Sequence, residues 1–276
     1  METVRLETTK QRAAAAYNAA ADLYGDPRLS FWDRFGRRTV ERLGLAAGAR
    51  VLDLCCGAGA SALPAAERVG PSGHVLGIDL AENLIQRARV KATIRRLDNA
   101  EFRVGDFERN QLPPGSFDAV ICVFGLFFAP DMTGALRRMW DWVRPGGSLA
   151  VTTWGPRLFY PADALFWEAV RAERPDLYRG FNPWDRIAEP EALSRLFAES
   201  GIPEVRAEAE EGVHPIPEPA DWWTVVMGSG YRGTVEALDP ESRARVRERT
   251  LRSLAATGAR EIETNVIYAT AEKERV

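Results

Sequence analysis

The chain reads as a doubly wound α/β protein built on a mostly parallel, seven-stranded sheet. Three observations predict this. Between residues 50 and 154, short apolar runs alternate with helical patterns. The links between them are short and rich in Gly, Pro and Ser, which implies parallel strands joined by right-handed crossovers. Two later stretches, one near 203–211 and the other "IETNVIYATAEK", alternate apolar and polar residues with the period of a strand.

The elements follow in order. Residues 10–24 are alanine-rich, carry Tyr17, Leu23 and Tyr24, and predict a helix that "GDPRLS" breaks. A second helix over about 31–44 places Phe31, Trp32, Phe35, Val40 and Leu43 at helical spacing and stops at Gly44. A strand over 50–55 and a helix over 59–69 come next. "GPSG" turns the chain into the strand "HVLGID", followed by a helix over 81–97. "AEFRVGD" is the third strand, "LPPGS" a loop and "FDAVICVFG" the fourth strand. After a helix over 131–143, "RPGG" turns sharply into the fifth strand, "SLAVTTW". Past Trp154 the alternation stops. Helices are expected near 161–172 and 189–200, a sixth strand in "EVRAEAEEG", and proline-broken helices over 212–259. The final alternating stretch is expected to join the sheet antiparallel, beside the sixth strand. The organisation expected is a helical cover over 1–48, an α/β core over 49–154, helices with the sixth strand over 155–259, and a closing strand over 260–276.

Composition narrows the function. With 276 residues the chain suits one large domain with insertions. Its net charge of −3 does not suggest a nucleic-acid binder. Arg243, Arg245, Arg247, Arg249 and Arg252 alternate with acids and read as a solvated helix face. No segment has the roughly 18–20 continuous apolar residues of a membrane span, and the N-terminal stretch lacks the apolar core of a secretory signal. The three cysteines, Cys55, Cys56 and Cys122, form no disulfide scaffold, so a reducing, cytoplasmic setting is expected, with the protein a monomer or homodimer.

In open parallel sheets ligands bind beyond the carboxyl ends of the strands. Asp53, Asp79, Asp106 and Cys122 are expected on that edge, each at the end of a successive strand. Gly57 and Gly59 let backbone approach a ligand closely, and the helix starting near Gly59 offers its positive end. Asp79, about 20 residues past Gly57, suits a ribose diol. Asp106 can accept from an exocyclic amine, and Phe107 can stack on a purine.

Taken together, "VLDLCCGAGASAL", "GIDLAENLIQRAR", "VGDFERNQLPPGSFDAVICVFGL" and "MWDWVRPGGSLAVTTW" resemble a class I S-adenosylmethionine-dependent methyltransferase. The resemblance is to the group of ubiquinone/menaquinone C-methyltransferases and related small-molecule enzymes, and it spans about residues 17–154. It implies that Asp53, Gly57 and Gly59 belong to a methionine-side loop, with Cys55 at the family's first glycine. It also implies that Asp79 takes the ribose hydroxyls and Leu80 touches the adenine, which Asp106 and Phe107 flank. Cys122 would lie under the methionine portion, with Tyr17 and Tyr24 in an N-terminal cover. The implied cofactor is S-adenosyl-L-methionine and the product S-adenosyl-L-homocysteine.

A thiol at position 55 is small enough to act as a modest hydrophobe. Without a C-x-x-C spacing, and with two histidines in all, no metal site is expected. A nicotinamide-binding oxidoreductase remains as an alternative, although Ala62 stands where its G-x-G-x-x-G pattern has a third glycine. A methyltransferase-fold module that binds without turnover is a second. Methyl transfer from a sulfonium needs in-line alignment and exclusion of water, and a base only if the acceptor must lose a proton. His214, in "GVHPIPEPADWW", is the candidate base, with a loop histidine as its alternative. The aromatics Phe124, Phe127, Phe128, Trp154, Tyr160, Trp222 and Trp223 are candidates for the wall around a small methyl acceptor. They suit an apolar or aromatic acceptor, or equally a caged ammonium group.

Overall fold

A computed structural model describes residues 2–275, with residues 2–9 as backbone alone. The cover consists of α1 (Glu2–Ala20) and α2 (Phe31–Leu43), joined through short turns at Ala21–Leu23 and Pro27–Leu29. The core strands are β1 (Arg50–Leu54), β2 (His74–Asp79), β3 (Ala100–Val104), β4 (Phe117–Val123) and β5 (Val143–Trp154). Between them run α3 (Ala62–Val69), α4 (Glu82–Arg95) and α5 (Met132–Trp142). The remainder holds α6 (Ala162–Glu173), α7 (Pro190–Glu199), β6 (Arg206–Glu210), β7 (Val213–Pro215), α8 (Pro219–Met227), α9 (Arg232–Glu236), α10 (Pro240–Thr257), β8 (Glu261–Glu263) and β9 (Val266–Glu272).

Among the described residues the main sheet has seven strands in the order β3-β2-β1-β4-β5-β9-β6. The first five pair in parallel. β9 is antiparallel to both its neighbours, so it lies between β5 and β6 as well as beside β6. The central strands are apolar throughout because both their faces are covered. Val51, Val75, Ala119 and Ile121 meet Val40 of α2, Leu63 of α3 and Ile85 of α4 on one face. Leu52, Leu54, Leu76, Ile78 and Val120 meet Leu136 and Met139 of α5 on the other. Truncating one such fully buried leucine to alanine costs about 2–5 kcal/mol.

Two boundaries and one strand pair differ from expectation for identifiable reasons. The helix after β1 starts at Ala62, because the glycine-rich loop continues to Ser61. "RPGG" does not precede β5 but bulges from it: the pairing with β4 passes from Phe117↔Val143 to Ala119↔Ser148. A small antiparallel pair, β7–β8, was not foreseen; three-residue strands carry too little alternation to read. It places His214 opposite Ile262.

Candidate cofactor and acceptor site

One cavity opens beyond the carboxyl ends of β1–β4, with about 1050 Å³ of empty space including its mouth. Its floor is the loop after β1. There Cys55 has φ 55° and Gly57 φ 51°, left-handed conformations in which glycine is the easiest residue to place. Asp79 ties that loop to the end of β2. Its Oδ2 accepts from the Gly57 N–H at 2.9 Å and its Oδ1 from the Ala81 N–H at 2.7 Å. Burial raises the pKa of this carboxyl, against the lowering effect of the backbone bonds from Ala81, Gly57 and Leu80. A carboxylate offers about four lone-pair sites, so these three bonds leave capacity for a donor from a ligand.

Asp106 lies across the cavity at the end of β3. It accepts from Lys10 Nζ at 2.9 and 3.2 Å and from the Glu108 N–H at 3.0 Å. Lys10 also pairs with Glu108. These contacts bring α1 down over the site, where Lys10, Ala13, Ala14 and Tyr17 share one helical face and line the cavity. Tyr24, Trp32, Asp33, Phe124 and Phe128 also line it, with Phe128 edge-on to Tyr17 at 6.0 Å. Burial drives the phenols of Tyr17 and Tyr24 well above their ordinary pKa, so both stay neutral donors.

Of the residues expected around a cofactor, Tyr17, Tyr24, Cys55, Gly57, Asp79, Leu80, Asp106 and Phe107 line the cavity. Asp53, Gly59 and Cys122 stand behind its wall. Asp53 is fully buried and accepts from the Ser61 hydroxyl at 2.7 Å, and Ser61 is the residue that faces the cavity. Among the described residues Oδ1 of Asp53 has no partner. Burial, with Asp79 nearby, raises this carboxyl to about 7, although bonds from Ser61 and Ala62 favour its charged form. Gly59, at φ 85°, shapes the turn into α3. Cys122 is fully buried and packs with Cys55 around Gly125, where an added Cβ would lie 2.5 Å from Cys55 Cβ and 2.9 Å from Cys122 Sγ. Gly125 leaves the space that the Cys55 side chain occupies.

Several acceptor-side expectations need correction. Phe124 and Phe128 line the cavity, but Phe127, Trp154, Tyr160, Trp222 and Trp223 do not. Trp154 backs the wall, stacked on Phe124 at 3.8 Å. Trp222 is fully buried against Phe159, Phe127 packs on Trp184, and Tyr160 is 45% exposed on the surface under Arg157. Trp223 borders a separate surface groove along α10. Nor is His214 placed as a base. It is buried, its Nε2 lies 2.9 Å from the Arg28 carbonyl, its ring packs edge-on to Phe31, and burial lowers its pKa. Lys10, Trp32 and Asp33 were missed. The spacing 10, 13, 14, 17 carried the signal for Lys10. Trp32 was read as part of the core stripe, although Phe31 fills that direction and the next residue turns about 100° away.

The acids on this rim suit a cationic nucleoside, and among the described residues no group of three His, Cys, Asp or Glu side chains could hold a metal ion. A family described as a methyltransferase domain matches residues 51–147. The chain belongs to the S-adenosylmethionine-dependent methyltransferases, whose fold and cofactor it shares. It is 32% identical over 260 residues to nocamycin O-methyltransferase of Saccharothrix syringae, covering 88% of this chain and 91% of that protein. It is 37% identical over 192 residues to aklanonic acid methyltransferase DauC of Streptomyces sp. (strain C5), covering 65% of this chain and 87% of that one. Among solved structures, YcgJ of Bacillus subtilis matches with a TM-score of 0.57 at 16% identity, over 88% of this chain and all of that one, a likeness of fold.

Proposed function

We propose that the enzyme methylates a small apolar or aromatic molecule by in-line displacement, within the cavity beyond β1–β4. One observation carries this reading: a single cavity joins the acids Asp79 and Asp106 and the Gly57 loop to an aromatic wall of Trp32, Phe124 and Phe128. The relatives named for aklanonic acid and nocamycin support a small-molecule acceptor.

When bound, S-adenosylmethionine supplies a methyl group on a sulfonium whose leaving group is neutral. Asp79 would accept from the ribose on the lone-pair capacity its backbone partners leave free. Leu80 and Phe107 would flank the adenine, and Asp106, which also accepts from Lys10 and the Glu108 N–H, would take its amine. The loop from Cys55 to Ser61 holds the methionine end, with Asp53 positioning Ser61 from behind and Cys122 supporting Cys55. Tyr17, Trp32, Phe124 and Phe128 exclude water, which keeps the methyl group from hydrolysis and fixes the line of approach. No histidine acts as base. We further propose that the enzyme works without nucleic acid, as a cytoplasmic monomer or homodimer; its net charge of −3 and three free thiols support this. Among the described residues no helix is long and apolar enough to cross a membrane.

The test is calorimetric titration with S-adenosylmethionine and with NAD(H), followed by a panel of phenols, quinones and amines scored for S-adenosylhomocysteine release. Release with an apolar or aromatic acceptor supports the reading. Cofactor binding without release across the panel favours a binding module instead.

A further inference from the structure

Methyl transfer gives the thiols of this site no chemical task, yet two of them meet at the cavity floor. Cys55 and Cys122 are both free thiols. Cys55 opens the glycine-rich loop and lines the cavity, and Cys122 is fully buried behind it. Their sulfurs crowd one point: a Cβ built on Gly125 would lie 2.6 Å from Cys55 Sγ and 2.9 Å from Cys122 Sγ. Hydrogen bonding with the Cys122 thiol, ahead of burial, holds the Cys55 thiol well above its ordinary pKa, so the two groups are direct neighbours.

The backbone suits a bond between them. Leu54 of β1 is the register partner of Cys122 of β4, and Cys55 follows Leu54. Neighbouring strands lie about 4.8 Å apart and a residue advances about 3.3 Å, so the two Cα atoms stand about 6 Å apart, inside the roughly 4.4–6.8 Å range of disulfides. Cys55 leaves the strand at φ 55°, and its side chain packs with the apolar cluster that holds Cys122. Cys56 belongs to the cluster on the other face of the sheet, with its Sγ 2.9 Å from where a Cβ on Gly77 would stand. The sequence neighbour is thus turned away from Cys55, and the distant cysteine is beside it.

We propose that Cys55 and Cys122 form a reversible disulfide when a hydroperoxide enters the cavity, and that the cross-linked enzyme holds its cofactor poorly. The Cys55 sulfur attacks one peroxide oxygen and the O–O bond breaks. The thiol proton goes to the departing oxygen, so a sulfenic acid and one water form. The Cys122 sulfur then displaces the sulfenic hydroxyl, which leaves with the second thiol proton as another water, and the S–S bond forms. The two thiols give up two electrons and hydrogen peroxide takes them. Because Cys55 is held protonated, the attack is slow and needs sustained peroxide. The bond ties Cys55 to β4 and so disturbs the loop whose Gly57 N–H meets Asp79. A ligand in the cavity covers Cys55 and protects it. The loss of cofactor rests on the methyl-transfer reading of this cavity, whereas the cross-link itself does not.

The experiment treats the full chain with millimolar hydrogen peroxide, with and without S-adenosylhomocysteine, and maps its peptides by mass spectrometry without reduction. The wild type and Cys56→Ala should both show the Cys55 and Cys122 peptides joined, with the loss of two hydrogens, and dithiothreitol should part them. Cys122→Ser should show no joined peptides. Saturating S-adenosylhomocysteine should slow the cross-link about tenfold, in step with the fraction of empty sites. By calorimetry the oxidised wild type should bind S-adenosylhomocysteine about tenfold more weakly, the worth of one bond to a charged acceptor, and dithiothreitol should restore it. A bond between Cys55 and Cys56, cross-links between chains alone, or oxidation of Cys55 with Cys122 left reduced overturns the pair. A cross-link that leaves the affinity unchanged overturns the effect on cofactor. If the untreated protein binds no S-adenosylhomocysteine, the methyl-transfer reading fails, and the peptide map still decides the disulfide.

Discussion

Asp53→Asn should stabilise the protein at alkaline pH relative to its effect at acid pH. The Asp53 side chain is fully buried, one oxygen bonded to Ser61 and the other without a partner among the described residues. Its carboxyl sits at about 7, against an ordinary value of 3.8. The folded state thus holds this proton more tightly than the unfolded state. Stability from the group is fully present below about 3.8 and is lost as pH rises through about 7. At roughly 1.4 kcal/mol per tenfold change in proton affinity, the whole loss is on the order of 4 kcal/mol. Asparagine cannot ionise, so it escapes this loss. Its amide leaves one polar atom unpaired, a cost of about 1–3 kcal/mol that is the same at every pH. The readout is therefore the change in the variant-minus-wild-type difference. That difference should move in favour of the variant by about 3 kcal/mol between pH 4.5 and pH 8. For a chain of this size the corresponding relative rise in Tm is about 6–10 °C. Thermal unfolding of both proteins across that range measures it. A difference that stays constant with pH refutes the placement of a buried, titrating carboxyl behind the loop.

Asp79→Ala should weaken S-adenosylmethionine binding at least tenfold by calorimetry, since it removes the ribose acceptor and unties Gly57 and Ala81 together; an unchanged Kd counts against the ribose assignment. His214→Ala should leave the pH dependence of methyl transfer between pH 6 and 9 unaltered while lowering Tm, because the ring is bonded to the Arg28 carbonyl and not to the cavity. Gly125→Ala should destabilise by about 1–3 kcal/mol through collision with Cys55, and Cys55→Gly in the same chain should restore much of it. Additive urea midpoints in that double-mutant cycle would show that the two positions do not share space.

The parallel core was legible because its strands are long apolar runs punctuated by glycine and proline. Asp79 and Asp106 were legible because each follows such a run directly. Asp53 occupies the same kind of position, yet its side chain is turned under Ser61, and nothing in the spacing distinguishes a rim acid from one beneath it. The aromatics were harder. Trp154 and Trp222 have the composition of a binding wall, but they pack into the core with Phe31, Phe159 and Tyr231. Residue type gives an affinity for apolar surroundings, not the direction in which a ring points. His214 misled for the same reason: a titratable ring in an insertion is equally suited to filling space beneath Phe31.

The placement of β9 has a consequence for how the sheet is completed. Residues 266–272 fill a slot whose two sides, β5 and β6, emerge from the ribosome earlier. Until they arrive, the backbone N–H and C=O groups along that side of β5 have no strand to bond, and an open edge of this kind invites pairing with another chain. A chain without residues 266–272 would therefore carry the parallel half of the sheet beside an open edge of β5.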